Sequence, residues 1–136
     1  MRSALDTNIL VSSLLTSRGH PAAIYRLWRE GRFTLITCEE HLDELRATLR
    51  KPALAARIKP YDAGRLVNEI RRVAHMVTSL PRVQVSPDPN DDFLLALCEA
   101  GRGDYLVTGD KCGLLILGRY KSIRIVSARD FVALFA

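Results

Sequence analysis

Short apolar runs that suit β-strands alternate along the chain with longer stretches whose apolar residues recur at helical spacing. This is the pattern of βα units around a mostly parallel sheet. The strand candidates are Ser3 to Leu5, Phe33 to Ile36, Val83 to Val85, Tyr105 to Val107 and Ile123 to Val126. The first helix is expected from Thr7 or Asn8, and the second from about Pro21 until Gly31 closes it. A third runs from about Glu39 to Arg50 with Leu42, Leu45 and Leu49 on one face, and a loop or short helix follows as far as Pro60. A fourth carries Leu66, Ile70, Val73 and Val77 and ends before Pro81. A fifth, capped by Asn90 or Asp91, is apolar nearly all round and leaves at Gly101 and Gly103. A sixth follows Ser127. The expected fold class is α/β, with one domain over residues 1–136, a length that buries a respectable core without staples.

Composition narrows the classes of function. The N-terminal apolar run is broken at Asp6, Thr7 and Asn8, so it does not read as a signal peptide, and no later segment has the length and apolarity to span a bilayer. Cys38, Cys98 and Cys112 are scattered and odd in number, which indicates neither a disulfide framework nor a zinc site and fits a reducing cytoplasm. Lys plus Arg number 20 against 15 for Asp plus Glu, a net charge of +5. That excess suits a polyanionic partner without requiring one. The charges are also segregated. Arg50, Lys51, Arg57, Lys59, Arg65, Arg71 and Arg72 fall between Arg46 and Arg82, while acids gather at Glu39, Glu40, Asp43 and Glu44, and again at Asp88, Asp91 and Asp92.

In an open parallel sheet, ligands collect outside the carboxyl ends of the strands, where neighbouring crossovers lead to opposite faces. Asp6 follows the first strand directly, Asp110 follows the strand in DYLVTGD, and Asp92 stands at the start of the helix before it. Carboxylates about 4 Å apart repel by roughly 4 kcal/mol at an effective dielectric near 20, so a converging set must share a proton, recruit a base or bind a cation. A hard divalent ion such as magnesium or manganese matches oxygen donors, whereas His20, His41 and His75 share no ligand spacing. Taken singly, Asp6 reads equally well as a helix cap, Asp91 or Asp92 as a charge at a helix start, Asp110 as a turn residue, and Glu44 as an exposed helical acid. His41, His75 and Trp28 read as packing or surface residues.

The stretches LDTNILVSSLL, HLDELRATL, DPNDDFLLALCEAGRGDYLVTGD and IRIVSARDF together resemble the PIN-domain ribonucleases, in particular the toxins of bacterial and archaeal toxin-antitoxin pairs. The resemblance covers essentially the whole chain. It implies a three-layer α/β/α sandwich with a central, mainly parallel five-stranded sheet. It implies further that Asp6, Glu44, Asp92 and Asp110 hold Mg2+ or Mn2+ and support hydrolysis of RNA, with Thr7, Asn8 and Thr108 as polar neighbours. A cognate antitoxin and a homodimer are the partners it implies. Many relatives carry a further acid two residues after the fourth, where this chain has Cys112, which implies weaker holding of a second ion. A domain that binds RNA or a partner without cleaving is the alternative.

Overall fold

The computed structural model describes residues 1–109 and 113–136. In chain order the elements are β1 (Arg2–Leu5), α1 (Thr7–Leu15), α2 (His20–Arg29), β2 (Thr34–Thr37), α3 (Glu39–Leu49), α4 (Pro52–Ala55), α5 (Pro60–Val73), β3 (His75–Met76), α6 (Pro89–Ala100), β4 (Tyr105–Val107), α7 (Leu114–Leu117), β5 (Arg119–Tyr120), β6 (Ile123–Val126) and α8 (Ala128–Ala133). The strands lie in the order β3-β2-β1-β4-β6-β5. All neighbours are parallel except the β5–β6 pair. Among the described residues the sheet thus has six strands where five were expected, because β3 stands in place of the expected Val83 to Val85 strand and β5 adds a two-residue antiparallel edge.

Two apolar cores flank the sheet, which makes the molecule three layers deep. On one side Leu5, Leu35 and Val107 pack with residues of α1, α2, α3, α5 and α8, among them Ile24, Leu42, Leu45, Ile70 and Phe131. On the other, Ala4, Ile36 and Leu106 meet Leu94, Leu95, Leu97 and Cys98 of α6 and Leu114 of α7. The alternation within each strand, Ala4 against Leu5 and Leu106 against Val107, sends neighbours to opposite cores, as the two-residue repeat of a strand requires. Because α6 runs beneath the sheet with little room, its exit needs bare backbone. A Cβ on Gly101 would collide with Ile36, and one on Gly103 with the Cys98 sulfur.

Two expected elements differ. Val83 to Val85 is not a strand. Val83 is tucked into the second core, but the N–H groups of Val85 and of Ser86 donate to the Asp92 carboxylate instead of a sheet partner. The fourth helix stops at Val73, short of Val77, and Ala74 is already extended. The chain then pairs beside β2, and the Val77 N–H donates to the Thr37 carbonyl at 2.8 Å. The cap of α6 also differs from expectation, for Asp88, followed by Pro89, accepts from the Asn90 N–H at 2.9 Å.

A polar clamp joins α2 to α5 over the first core. The Tyr25 hydroxyl donates to Glu69 at 2.6 Å, while Arg29 and Arg65 each approach the same carboxylate at 3.2 Å. Burial works to raise the pKa of Glu69, but these donors outweigh it and hold the group below its usual value. Burial together with the bond to Glu69 pushes Tyr25 up to about 12.

Two outcomes follow from this packing. Gly103→Ala should lower unfolding stability by about 1–3 kcal/mol in urea titration, since overpacking a tight site forces neighbours to shift. Glu69→Gln should cost about 2 kcal/mol at pH 7, the scale of hydrogen bonds to a charged group. The depressed Glu69 pKa contributes stability above its unfolded value of 4.5 and loses it as the pH falls through the folded value. Urea titrations at pH 7 and in strong acid should therefore show the wild type and Glu69→Gln converging in acid.

Candidate active site

Parallel pairing brings the ends of β1 and β4 together. Leu5 lies opposite Val107, and the Asp6 N–H donates to the Val107 carbonyl at 2.9 Å. The next residues on both strands are polar and meet, with the Thr108 hydroxyl donating to Asp6 Oδ2 at 2.9 Å. Asp6 is also the N-cap of α1, accepting from the Asn8 N–H at 3.5 Å. The capping reading and the site reading therefore describe the same carboxylate.

Glu44 approaches from α3. His41, one turn earlier, is buried and anchored by Nε2 to the Leu5 carbonyl at 2.9 Å, and its Nδ1 stands 4.0 Å from Glu44 Oε2. The Glu44 side chain remains 40% exposed. Burial holds the His41 pKa below the ordinary 6.5, against the opposing pull of Glu44, the Leu5 carbonyl and Asp6. Asp6 and Glu44 thus share one electrostatic neighbourhood around one imidazole. Unlike Glu39, Asp43, Glu69 and Glu99, which pair with Arg71, Arg46, two arginines and Lys121, neither of them has a described Arg or Lys as an ion-pair partner.

The two adjacent acids of α6 are held differently. Asp92 Oδ1 accepts from the N–H groups of Val85 and Ser86 at 3.0 and 2.9 Å, so this carboxylate is tied to the preceding loop. Its neighbour Asp91 is the buried one of the two, and its Oδ2 lies 3.4 Å from the Ser86 hydroxyl. Asp91 also lines a cleft of about 660 Å³ with Asp88, Pro89, Leu114 and Ile116. Two adjacent residues at a helix start point about 100° apart, and an unaided helical repeat cannot choose between them. Asp110 and Cys112 lie outside the described residues. Among the described residues no three His, Cys, Asp or Glu side chains group as a metal-holding set.

The basic stretch is likewise divided. Arg46 and Arg50 line a separate cleft with the start of α5, whereas Arg71, near its end, pairs with Glu39 at 2.8 Å beside the carboxyl end of β2. Arg71 thus stands at the edge that carries Asp6. The amino ends of α1, α3 and α6 all open at this edge, and the positive ends of their dipoles favour an anion there.

A PIN domain family profile matches residues 2–112. The chain belongs to the PIN domain family. PIN domains are generally metal-dependent nucleases, and no curated protein gives a significant match to the chain. The donor chemistry at the strand ends suits the ion such enzymes use, since Asp6 and Glu44 offer hard oxygens with no described Arg or Lys paired against them. No helix among the described residues is long and apolar enough to cross a membrane.

Because burial lowers the His41 pKa, its midpoint in a heteronuclear NMR titration should lie below the ordinary 6.5. The unfolded chain takes up a proton below that pH and the folded one resists, so stability should fall as the pH drops below about 6.5. A His41 midpoint above that value would contradict the burial account.

Proposed function

We propose that this PIN domain is a metal-dependent endoribonuclease, cytoplasmic, and the toxin of a toxin-antitoxin pair. The observation that carries the reading is that Glu44 stands 4.0 Å from His41 Nδ1 while the same ring is bonded to the carbonyl of Leu5, the residue before Asp6, at the carboxyl edge of β1. Asp6 and Glu44 are both unpaired with any described Arg or Lys, in a family of metal-dependent nucleases. Asp6 and Glu44 would hold Mg2+ or Mn2+, with Asp91 in the place that the sequence pattern suggests for Asp92, and with Asp110 as the fourth acid. The ion would supply a more acidic water and stabilise charge on the phosphate.

The remaining roles belong to the chain's own groups. Glu44, half-exposed beside the pocket, orients the attacking water and receives its proton. Thr108 fixes the Asp6 carboxylate through its hydroxyl, so that Asp6 presents its other oxygen in one orientation. The amino ends of α1, α3 and α6 offset the phosphate charge, and Arg71 and Arg72 supply backbone contacts at the rim. No protein nucleophile is required. An antitoxin segment covering this edge would silence the enzyme, and a homodimer is the expected assembly.

Purified protein incubated with a total RNA pool should cleave it with manganese or magnesium and stop when chelator is added. Asp6→Asn and Asp91→Asn should each reduce cleavage at least about a hundredfold, the scale on which removing transition-state charge stabilisation is felt. Asp92→Asn should act mainly on stability by releasing the 85–86 loop. Cleavage that survives both chelation and Asp6→Asn would remove the mechanism. Separately, Arg71→Glu with Arg72→Glu should weaken RNA binding and flatten its dependence on salt, by about one unit of slope for each phosphate no longer neutralised. Binding unchanged across salt concentrations would place the RNA elsewhere.

A further inference from the structure

The imidazole of His41 reaches the segments that carry three of the four candidate acids. Its Nε2 lies 2.9 Å from the carbonyl of Leu5, the residue before Asp6. A carbonyl only accepts, so the proton sits on Nε2, and in the neutral ring Nδ1 carries a bare lone pair. That Nδ1 is buried without a hydrogen-bond partner among the described residues, and Glu44 Oε2 stands 4.0 Å from it. The ring face stacks on Phe93, with centroids 6.3 Å apart and planes at 26°. Phe93 directly follows Asp91 and Asp92 on α6.

A histidine that serves packing alone normally has its buried nitrogens paired. Here one nitrogen is committed to the strand that ends at Asp6, and the other is left as an acceptor facing a second acceptor. An acceptor cannot capture a carboxylate. Glu44 is thereby kept from closing onto a protein donor, while the Nε2–H bond fixes α3 against the end of β1 and so sets the separation of Glu44 from Asp6. The stack on Phe93 ties the same ring to the helix that bears Asp91.

We propose that His41 is a positioning residue, which holds Glu44 at the distance from Asp6 and from α6 at which the acids can share one divalent ion. The proposal rests on the nuclease reading and adds to it a nitrogen group that acts through the carboxylates without touching the RNA.

The test uses the full chain with His41→Phe, His41→Gln and His41→Asn. Phe keeps the volume and the stack but has no nitrogen. Gln retains a donor near the Nε2 position, and Asn places its amide nearer Nδ1 and loses the reach to Leu5. Thermal melting, calorimetric titration with Mn2+, and kcat and KM on an RNA oligonucleotide are measured for each. His41→Phe should fold, bind Mn2+ about tenfold more weakly and lose about tenfold or more in kcat, the range seen when groups behind metal ligands are removed. Its KM for RNA should change little, because the phosphate contacts are untouched. His41→Gln should recover most of the Mn2+ affinity and His41→Asn should not. Wild-type Mn2+ affinity and kcat in His41→Phe would overturn the proposal. If His41→Phe does not fold, Gln and Asn variants with equal Mn2+ affinity would overturn it instead. A wild type that binds no Mn2+ would bring down the nuclease reading itself, and the proposal with it.

Discussion

The parallel pairing of β1 with β4 is the constraint on which the site depends. Leu5 lies opposite Val107, so each strand delivers its next residue, Asp6 or Thr108, to the same edge at the same height. The crossover from β1 leaves through α1 on one face of the sheet, and β4 is reached through α6 on the other. The chain therefore parts at this edge and opens a crevice between the two layers, the position where open α/β sheets take their ligands. A slip of one residue in this register would turn Leu5 and Val107 out of their core and remove Asp6 from Thr108 together. Core packing and site geometry are thus set by the same pairing.

Charge is treated in two ways in this molecule. Away from the edge, acids are answered by the protein's own cations. Glu69 is enclosed by Tyr25, Arg29 and Arg65, and Glu99 pairs with Lys121. At the edge, Asp6 is met by a hydroxyl and a backbone N–H, and Glu44 by an imidazole whose pKa burial lowers. Neutral donors orient Asp6 without cancelling its charge, and the imidazole leaves Glu44 uncompensated. Such a site retains a demand for a cation from outside, in contrast with the clamp between α2 and α5, whose charges serve stability.

Much of this is legible in the chain, and the failures have physical causes. The strands Tyr105–Val107 and Ile123–Val126 match expectation to the residue, because β-branched and aromatic runs are bounded by Gly, Asp or Ser. Val83 to Val85 has the same look, but its backbone donors are taken by the Asp92 side chain, a competition that no strand pattern contains. The true third strand, His75–Met76, is two residues long and leaves almost no periodicity to read. Asp6 is legible because it ends a strand. Glu44 is not legible from its helix, where it lies well round from the leucine face, and only the family resemblance raises it. His41 reads in the sequence as a packing or surface residue, since its bond to Leu5 spans 36 positions and its stack on Phe93 joins two layers.

The central claim is that a divalent ion belongs at the strand ends between Asp6 and Glu44. Anomalous diffraction from crystals soaked in Mn2+ would test this most directly. The account predicts a manganese peak within bonding distance, directly or through one water, of both the Asp6 and the Glu44 carboxylates. A fully occupied peak elsewhere on the chain, or an empty edge at saturating Mn2+, would contradict it.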